Sequence, residues 1–309
     1  MKHTILGAGG SVGNALAFEL LKSGEKVRLV SRSNYSLPGA ESFKADITSY
    51  QETLNSVKDS SIVYLCVGLP YDSKIWAEFW PKIIQNTIDA CKSVNAKLIF
   101  FDNVYMYGKV DGKMTETTPY NPCSRKGEIR ANIATILENE IKQKSINAII
   151  ARAADLYGPY ATKTSLPYIL VFDKLINGKK AQWMVDARKL HSFTYTIDSA
   201  KGLYLLSKDD TCFNQIWHLP TYNPSVDGER FIDIAAKALS VDSKYSVLKK
   251  WMLKMVGLFN KTVSESYEML YQSENDYYFD STKFNEYFKY QPKTYEEGIH
   301  ETINFLKRK

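Results

Sequence analysis

Cysteine is scarce and scattered. Cys66, Cys91, Cys123 and Cys212 are the only four in 309 residues and form no CxxC pair. That spacing offers neither a disulfide framework nor a thiolate zinc site, and it points to a reducing cytoplasm. The four histidines, His3, His191, His218 and His300, have no ligand spacing either, so no metal is expected. No segment supplies roughly 20 uninterrupted apolar residues, so no integral membrane association is expected. Met1 to Leu6 runs straight into Gly7 without the longer apolar stretch and small-residue cleavage site of a signal peptide. Internal repeats and low-complexity linkers are also missing. The excess of 40 basic over 34 acidic residues, a net charge of +6, is spread along the chain. It favours anionic ligands near the surface but forms no dense basic face or recognised module, so no nucleic-acid partner is expected.

What is present is a regular alternation of strand and helix. Residues 3–6 read as a strand, Ser11 to Leu21 as a helix with apolar residues at helical spacing, and Lys26 to Val30 as the next strand, with Gly24 closing the helix. This is a compact βαβ unit. A helix at Gln51 to Val57, a strand at Ser61 to Val67, a helix at Trp76 to Ser93 and a strand at Lys97 to Phe101 follow. A helix from Lys126 to Lys144 and a strand from Asn147 to Ala151 complete the alternation. The order predicts an α/β fold, a Rossmann-type doubly wound parallel sheet over residues 1–158. Residues 159–309 are expected to form mainly a smaller substrate lobe, with 192–208 returning to the main domain. In that region 166–176, 197–207 and 231–239 read as helical and 181–185 as extended. Val247 to Phe259 is basic and amphipathic; it is expected to cover the small lobe or a partner subunit, a membrane-surface face being the other reading.

Gly7-Ala8-Gly9-Gly10-Ser11-Val12-Gly13 lies between the first strand and the first helix, where a dinucleotide-binding turn belongs. The first glycine permits the tight turn, Gly9 or Gly10 lets the backbone approach a pyrophosphate, and Gly13 lets the helix pack on the sheet. The helix mouth, with Ser11 and Val12, would face the phosphates. At the end of the second strand Arg32 and Ser33 stand where an acid would bind a ribose diol, which favours NADP over NAD. Asp46 is a candidate for the adenine amine or for a helix cap. Gly68, after a strand end, either makes room for the cofactor ribose or simply turns the chain.

Taken with Val104-Tyr105-Met106-Tyr107-Gly108, Ala151 to Pro159, Phe193 to Ala200, Phe279 to Lys283 and Tyr295 to Ile299, the chain resembles the extended branch of the short-chain dehydrogenase/reductase superfamily. This is the group of NAD(P)-dependent sugar-nucleotide epimerases, dehydratases and reductases, including atypical members. The resemblance implies a tyrosine and a lysine four residues apart on one helix, with a nearby hydroxyl residue, for proton transfer. Here Asn103 stands at the hydroxyl position, and Pro122 lies four residues before Lys126. The pairs Tyr105 with Lys109 and Tyr204 with Lys208 have the spacing but not the location.

The resemblance therefore implies an atypical NADP-dependent oxidoreductase or epimerase/dehydratase-like enzyme acting on a small molecule, such as a nucleotide sugar or another anionic carbonyl or alcohol compound. Lys126 is the candidate for the nicotinamide ribose, with Asn103, Ser124 and Tyr120 toward the substrate; a solvated helix start is the plainer reading of Lys126. Tyr157, Tyr160, Trp183, Arg188 and His191 are candidates for lining the substrate cleft. A homodimer is plausible on the same ground. The alternative is a non-catalytic NADP(H)-binding sensor or scaffold.

Overall fold

The apolar run at the amino terminus becomes the strand on which the main sheet is centred. In chain order the principal elements are β1 (Lys2–Leu6), α1 (Ser11–Lys22), β2 (Lys26–Ser31), β3 (Glu41–Lys44), α2 (Tyr50–Val57), β4 (Ile62–Leu65), α3 (Ser73–Val94), β5 (Lys97–Asp102), α4 (Arg125–Lys142), β6 (Ala148–Arg152), α5 (Thr196–Lys208), β7 (Gln215–His218), α6 (Gly228–Leu239), α7 (Lys250–Gly257), α8 (Lys261–Ser266) and α9 (Tyr295–Lys307). They come from a computed structural model, which describes residues 1–33, 35–162 and 165–308.

The seven strands pair in the order β7-β6-β5-β4-β1-β2-β3, every neighbour parallel. Helices cover both faces. Leu16, Leu20, Leu203 and Leu206 of α1 and α5 pack on one side, and Ile84, Ile88, Ile133 and Leu137 of α3 and α4 on the other. Strands buried on both faces are the reason β4, β5 and β6 read as continuous apolar runs. The chain leaves β1 toward β2 on one side and returns to β4 on the other. Their carboxyl ends thus flank the crevice where open α/β sheets bind ligands.

The second lobe has its own core, in which Phe172, Trp183, Phe231 and Ile299 pack together. A short parallel pair, 155–157 with 193–195, joins it to the sheet. Residues 166–176 are helical, with a π-turn over Tyr168–Phe172 before Asp173–Ile176.

Three differences from the sequence expectations stand out. Helix α3 begins at Ser73 rather than Trp76, because the Asp72 carboxylate accepts the amides of Lys74 and Ile75 and caps it. Residues 215–218, expected in the second lobe, instead add β7 to the main sheet by pairing with β6, more than 60 residues earlier. The basic, amphipathic segment covers the lobe only at its start, where Val247 and Leu248 pair with 183–184; Leu253 alone of α7 is buried, and its other large apolar side chains face outward.

Candidate functional site

Helix α1 opens without a cap. Gly10 occupies the N-cap position and has no side chain to offer. The amides of Gly7 and Ala8 both donate to the Val30 carbonyl at 3.1 Å, the Gly9 amide donates to Asn14 Oδ1 at 3.0 Å, and the Asn14 amide bonds back to Gly10. The amides of Ser11, Val12 and Gly13 find no acceptor among the described residues. Three donors at the positive end of a helix are what an anion requires. At two positions the turn that presents them tolerates no side chain. A Cβ on Gly7, at φ +97°, would lie 2.6 Å from the Val67 backbone, and one on Gly13 would lie 2.8 Å from the Gly7 carbonyl oxygen.

Around this mouth the other candidates have different neighbours. Arg32 and Ser33 are exposed at the end of β2, and the Ser31 hydroxyl accepts the Tyr35 amide at 3.0 Å. Asp46 Oδ1 accepts both the amide and the hydroxyl of Thr48. These bonds, aided by the Arg32 charge, hold the Asp46 carboxyl below its ordinary range. Ser49, not Asp46, caps α2. Beside Gly68 a Cβ would meet open space, so the crevice is unobstructed where the chain leaves β4.

The residues expected to do chemistry are brought to the same edge but are committed elsewhere. Ser124 caps α4 by accepting the Gly127 amide at 3.1 Å. Asn103 Oδ1 accepts the Tyr105 amide, fixing the turn after β5. The Tyr120 hydroxyl donates to Glu138 and accepts from Arg152. Lys126 is fully buried, and its ammonium reaches the Glu265 carbonyl at 2.9 Å, Glu265 Oε2 at 2.6 Å and Glu268 Oε1 at 2.8 Å. All three of its protons are used, so a solvated helix start is ruled out, and in this arrangement none remains for a ribose. The same two acids fill helix mouths. Glu268 accepts the amides of Arg125 and Lys126 at the start of α4, and Glu265 accepts the Ser73 amide at the start of α3. Burial pushes the Glu265 carboxyl up, but Lys126 and Ser73 more than offset this and hold it below the ordinary value.

The substrate candidates divide. Tyr157 is buried against Tyr195, Phe231 and Tyr295, and Trp183 packs against Phe193, Phe231 and Gly228, so both belong to the core of the second lobe rather than to a cleft. Tyr160 stacks on Phe18 and meets Phe305 edge-on. Arg188 is exposed, pairs with Asp186 and lines a surface groove with Glu229 and Tyr245. His191 alone meets the sheet edge, where its Nε2 lies 2.9 Å from Asp155 Oδ2 and its ring is sandwiched between Phe193 and Tyr277. The pairs Tyr105–Lys109 and Tyr204–Lys208 stay apart from this chemistry. Lys109 is exposed, while Tyr204 and Lys208 both turn to Glu25.

Asp155 belongs to a cage of buried tyrosines: it bonds to His191, whose ring stacks on Tyr277. Burial raises the phenols of Tyr71, Tyr105, Tyr271 and Tyr277 above their ordinary range, and the Asp155 charge adds to the effect on each. The hydroxyls of Tyr271 and Tyr277 are buried with no partner among the described residues, an arrangement that leaves two donors for something else. Below the cage Asp102 is fully buried between Arg130, whose Nε lies at 2.8 Å, and Arg152 at 3.5 Å. Arg152 donates to the Tyr107 hydroxyl at 2.8 Å, and that hydroxyl donates to His218 Nε2 at 2.9 Å. His218 turns its other nitrogen to the Asp280 carbonyl at 2.7 Å. Burial first, then the nearby Arg152, lowers the His218 pKa to about 3, so its ring is neutral.

Residues 3–214 match the NAD dependent epimerase/dehydratase family. The chain belongs to this family. No protein with a curated description matches it in sequence. Among solved structures it is similar to dTDP-glucose 4,6-dehydratase from Bacillus anthracis in complex with NAD, at TM-score 0.81 and 16% identity over 100% of this chain and 97% of that one. It is similar also to UDP-glucose 4-epimerase from Thermus thermophilus in complex with NAD, at TM-score 0.80 and 16% identity over 99% of each chain. A variant of UDP-glucuronic acid 4-epimerase from Bacillus cereus, bound to a UDP-sugar analogue and NAD, gives TM-score 0.81 at 17% identity over 100% and 99%. At such identities these likenesses speak to the fold.

Within the family frame, sequence reading missed Asp155, Tyr71, Tyr271, Tyr277, Glu265 and Glu268. Asp155 stood inside the Ala151 to Pro159 segment that carried the resemblance, and its acidic character was the available signal. The others gave none, because they gain meaning only from partners far off in the chain: Glu265 and Glu268 from Lys126, Tyr277 from His191.

Proposed function

We propose that this chain is a nicotinamide dinucleotide-dependent enzyme of the epimerase/dehydratase type that acts on a nucleotide-linked sugar. The free amides of Ser11, Val12 and Gly13 carry this reading: they form a cradle for a pyrophosphate, and Gly7 and Gly13 beneath it leave room for nothing larger than backbone. Gly7, Gly9, Gly10 and Gly13 would line the grip, Arg32 and Ser33 the adenosine ribose, Asp46 the adenine side and Gly68 the crevice. Bound there, the carrier supplies hydride exchange. Arg32, in place of an acid, favours the phosphorylated carrier NADP, while the solved relatives named above hold NAD.

Proton handling falls to the cage. Its phenols stay protonated at neutral pH and donate hydrogen bonds toward a sugar oxygen, with Tyr271 and Tyr277 uncommitted. Asp155, oriented by His191, is the carboxylate assigned to accept or return a proton. Lys126 serves as a positioning residue that ties α4 to the segment over the cage. Substrates are tested with a panel of dTDP- and UDP-sugars, following the absorbance of the bound nicotinamide. The expected result is a spectral change with at least one sugar, and Asp155→Asn should cut turnover by about 100-fold while leaving dinucleotide affinity unchanged.

The second reading, a binding protein without turnover, is favoured by the Lys126 lock. It holds if the dinucleotide binds and no sugar changes its spectrum, even after Glu265→Gln and Glu268→Gln loosen the lock.

A further inference from the structure

Between Asp242 and Glu265 the chain carries no acid, yet it contains Lys244, Lys249, Lys250, Lys254 and Lys261. The same stretch holds the densest run of exposed large apolar side chains in the protein. Phe259 is 90% exposed, Leu258 70% and Trp251 65%, and Met252, Met255 and Val256 are exposed beside them. Leu258 and Phe259 form the tip where α7 turns into α8. This tip does not dangle. Lys250 pairs with Glu274 at 2.6 Å, Lys261 pairs with Asp72, and Glu265 of α8 is bound to Ser73 and Lys126. The hairpin therefore holds its apolar face outward on a fixed base, at the expense of leaving that face in water.

We infer that the α7–α8 tip is a docking surface for an anionic lipid bilayer. Aromatic and aliphatic side chains at a protruding turn suit the headgroup–acyl boundary, and the flanking lysines suit a negative surface. Charge decides between the possible occupants. A second copy of this chain docked about a two-fold axis would set this patch against itself and bring together Lys249 and Lys254, the two lysines of the stretch without an ion-pair partner among the described residues. An anionic leaflet meets the same lysines with opposite charge. No helix of the described residues is long and apolar enough to cross a membrane, so the association is peripheral.

The experiment is flotation of the full chain with vesicles of phosphatidylcholine alone and with vesicles containing equal parts phosphatidylserine. The protein should float with the anionic vesicles, stay behind with the neutral ones and be released by raised salt. The double substitution Trp251→Ala/Phe259→Ala should weaken partitioning by about tenfold or more, since buried apolar area sets interfacial affinity. Because both side chains are exposed, its unfolding curve should overlay that of the parent, which separates lost docking from lost folding. Lipids brominated in the acyl chain should quench the parent's tryptophan fluorescence and lose most of that effect in Trp251→Phe. Equal flotation of parent and double variant would overturn the inference. So would indifference to phosphatidylserine, or a parent dimer in sedimentation that the double substitution dissociates without any vesicle binding.

Discussion

Two helix mouths open on the same edge of the sheet, and they are finished in opposite ways. At α4 every early amide is taken: Arg125 and Lys126 donate to Glu268, Gly127 to the Ser124 hydroxyl, and Glu128 to the Ser124 carbonyl. At α1 the amides of Ser11, Val12 and Gly13 have no acceptor among the described residues, and the cap position is glycine. A helix start of either kind attracts negative charge. The chain supplies that charge itself at α4 and, among the described residues, supplies none at α1, where we propose that a ligand does. The contrast lies in the hydrogen-bond geometry of the two mouths, without reference to any motif.

The comparison can be broken most directly at Gly7. Gly7→Ala must place a Cβ against the Val67 backbone at φ +97°, so it should cost about 3 kcal/mol in urea unfolding and abolish dinucleotide binding in calorimetry. A folded variant that still binds would detach the grip from this turn. At the other mouth, Lys126→Met leaves Glu265 and Glu268 facing each other without their cation. Both carboxylates are partly exposed, so a loss of about 2–3 kcal/mol is expected in the same assay, with dinucleotide affinity unchanged. A loss of affinity there would mean that the two mouths are coupled.

A pH titration sharpens the picture of the surroundings. Burial is the leading cause that holds His3 near pKa 4 and His218 near 3, both below the ordinary 6.5. Below pH 6.5 the unfolded chain takes up protons at these positions and the folded chain does not, so stability falls as pH drops toward 4. The two together should remove about 2 kcal/mol over the first pH unit, and His218→Gln should reduce that slope. A flat profile between pH 6.5 and 5 would contradict their burial in the neutral form. The smallest effect is expected at the rim of the α1 mouth: Arg32→Ala should lower the preference for NADPH over NADH by about tenfold, about 1.4 kcal/mol, leaving stability unchanged. Tighter binding of NADH by the parent would remove the role given to Arg32.

How legible each mouth was in the sequence follows from how local its construction is. β1, the glycine turn, α1 and β2 lie within residues 2–31, so spacing and periodicity sufficed to place them and to single out the glycines. The α4 mouth closes with acids 139 and 142 residues from Lys126, and no local pattern announces them. Lys126 was found, but the two acids that occupy its ammonium were not. Tyr157 and Trp183 show the reverse error. Aromatic side chains near a family-like turn resembled a cleft, yet the packing of Phe231, Tyr295 and Gly228 around them makes a core. The tyrosine cage gathers residues from 71 to 277, and only the folded topology brings them together.

The central claim is that the α1 mouth, and not the α4 mouth, receives a pyrophosphate. Its most direct test is to follow backbone amide resonances while NADPH is titrated into the folded protein. The signals of Ser11, Val12 and Gly13 should shift most strongly and saturate together, with those of Arg125 and Lys126 staying in place. Movement of the α4 amides with a still α1 mouth, or no movement at either with NADPH and then NADH, would contradict it.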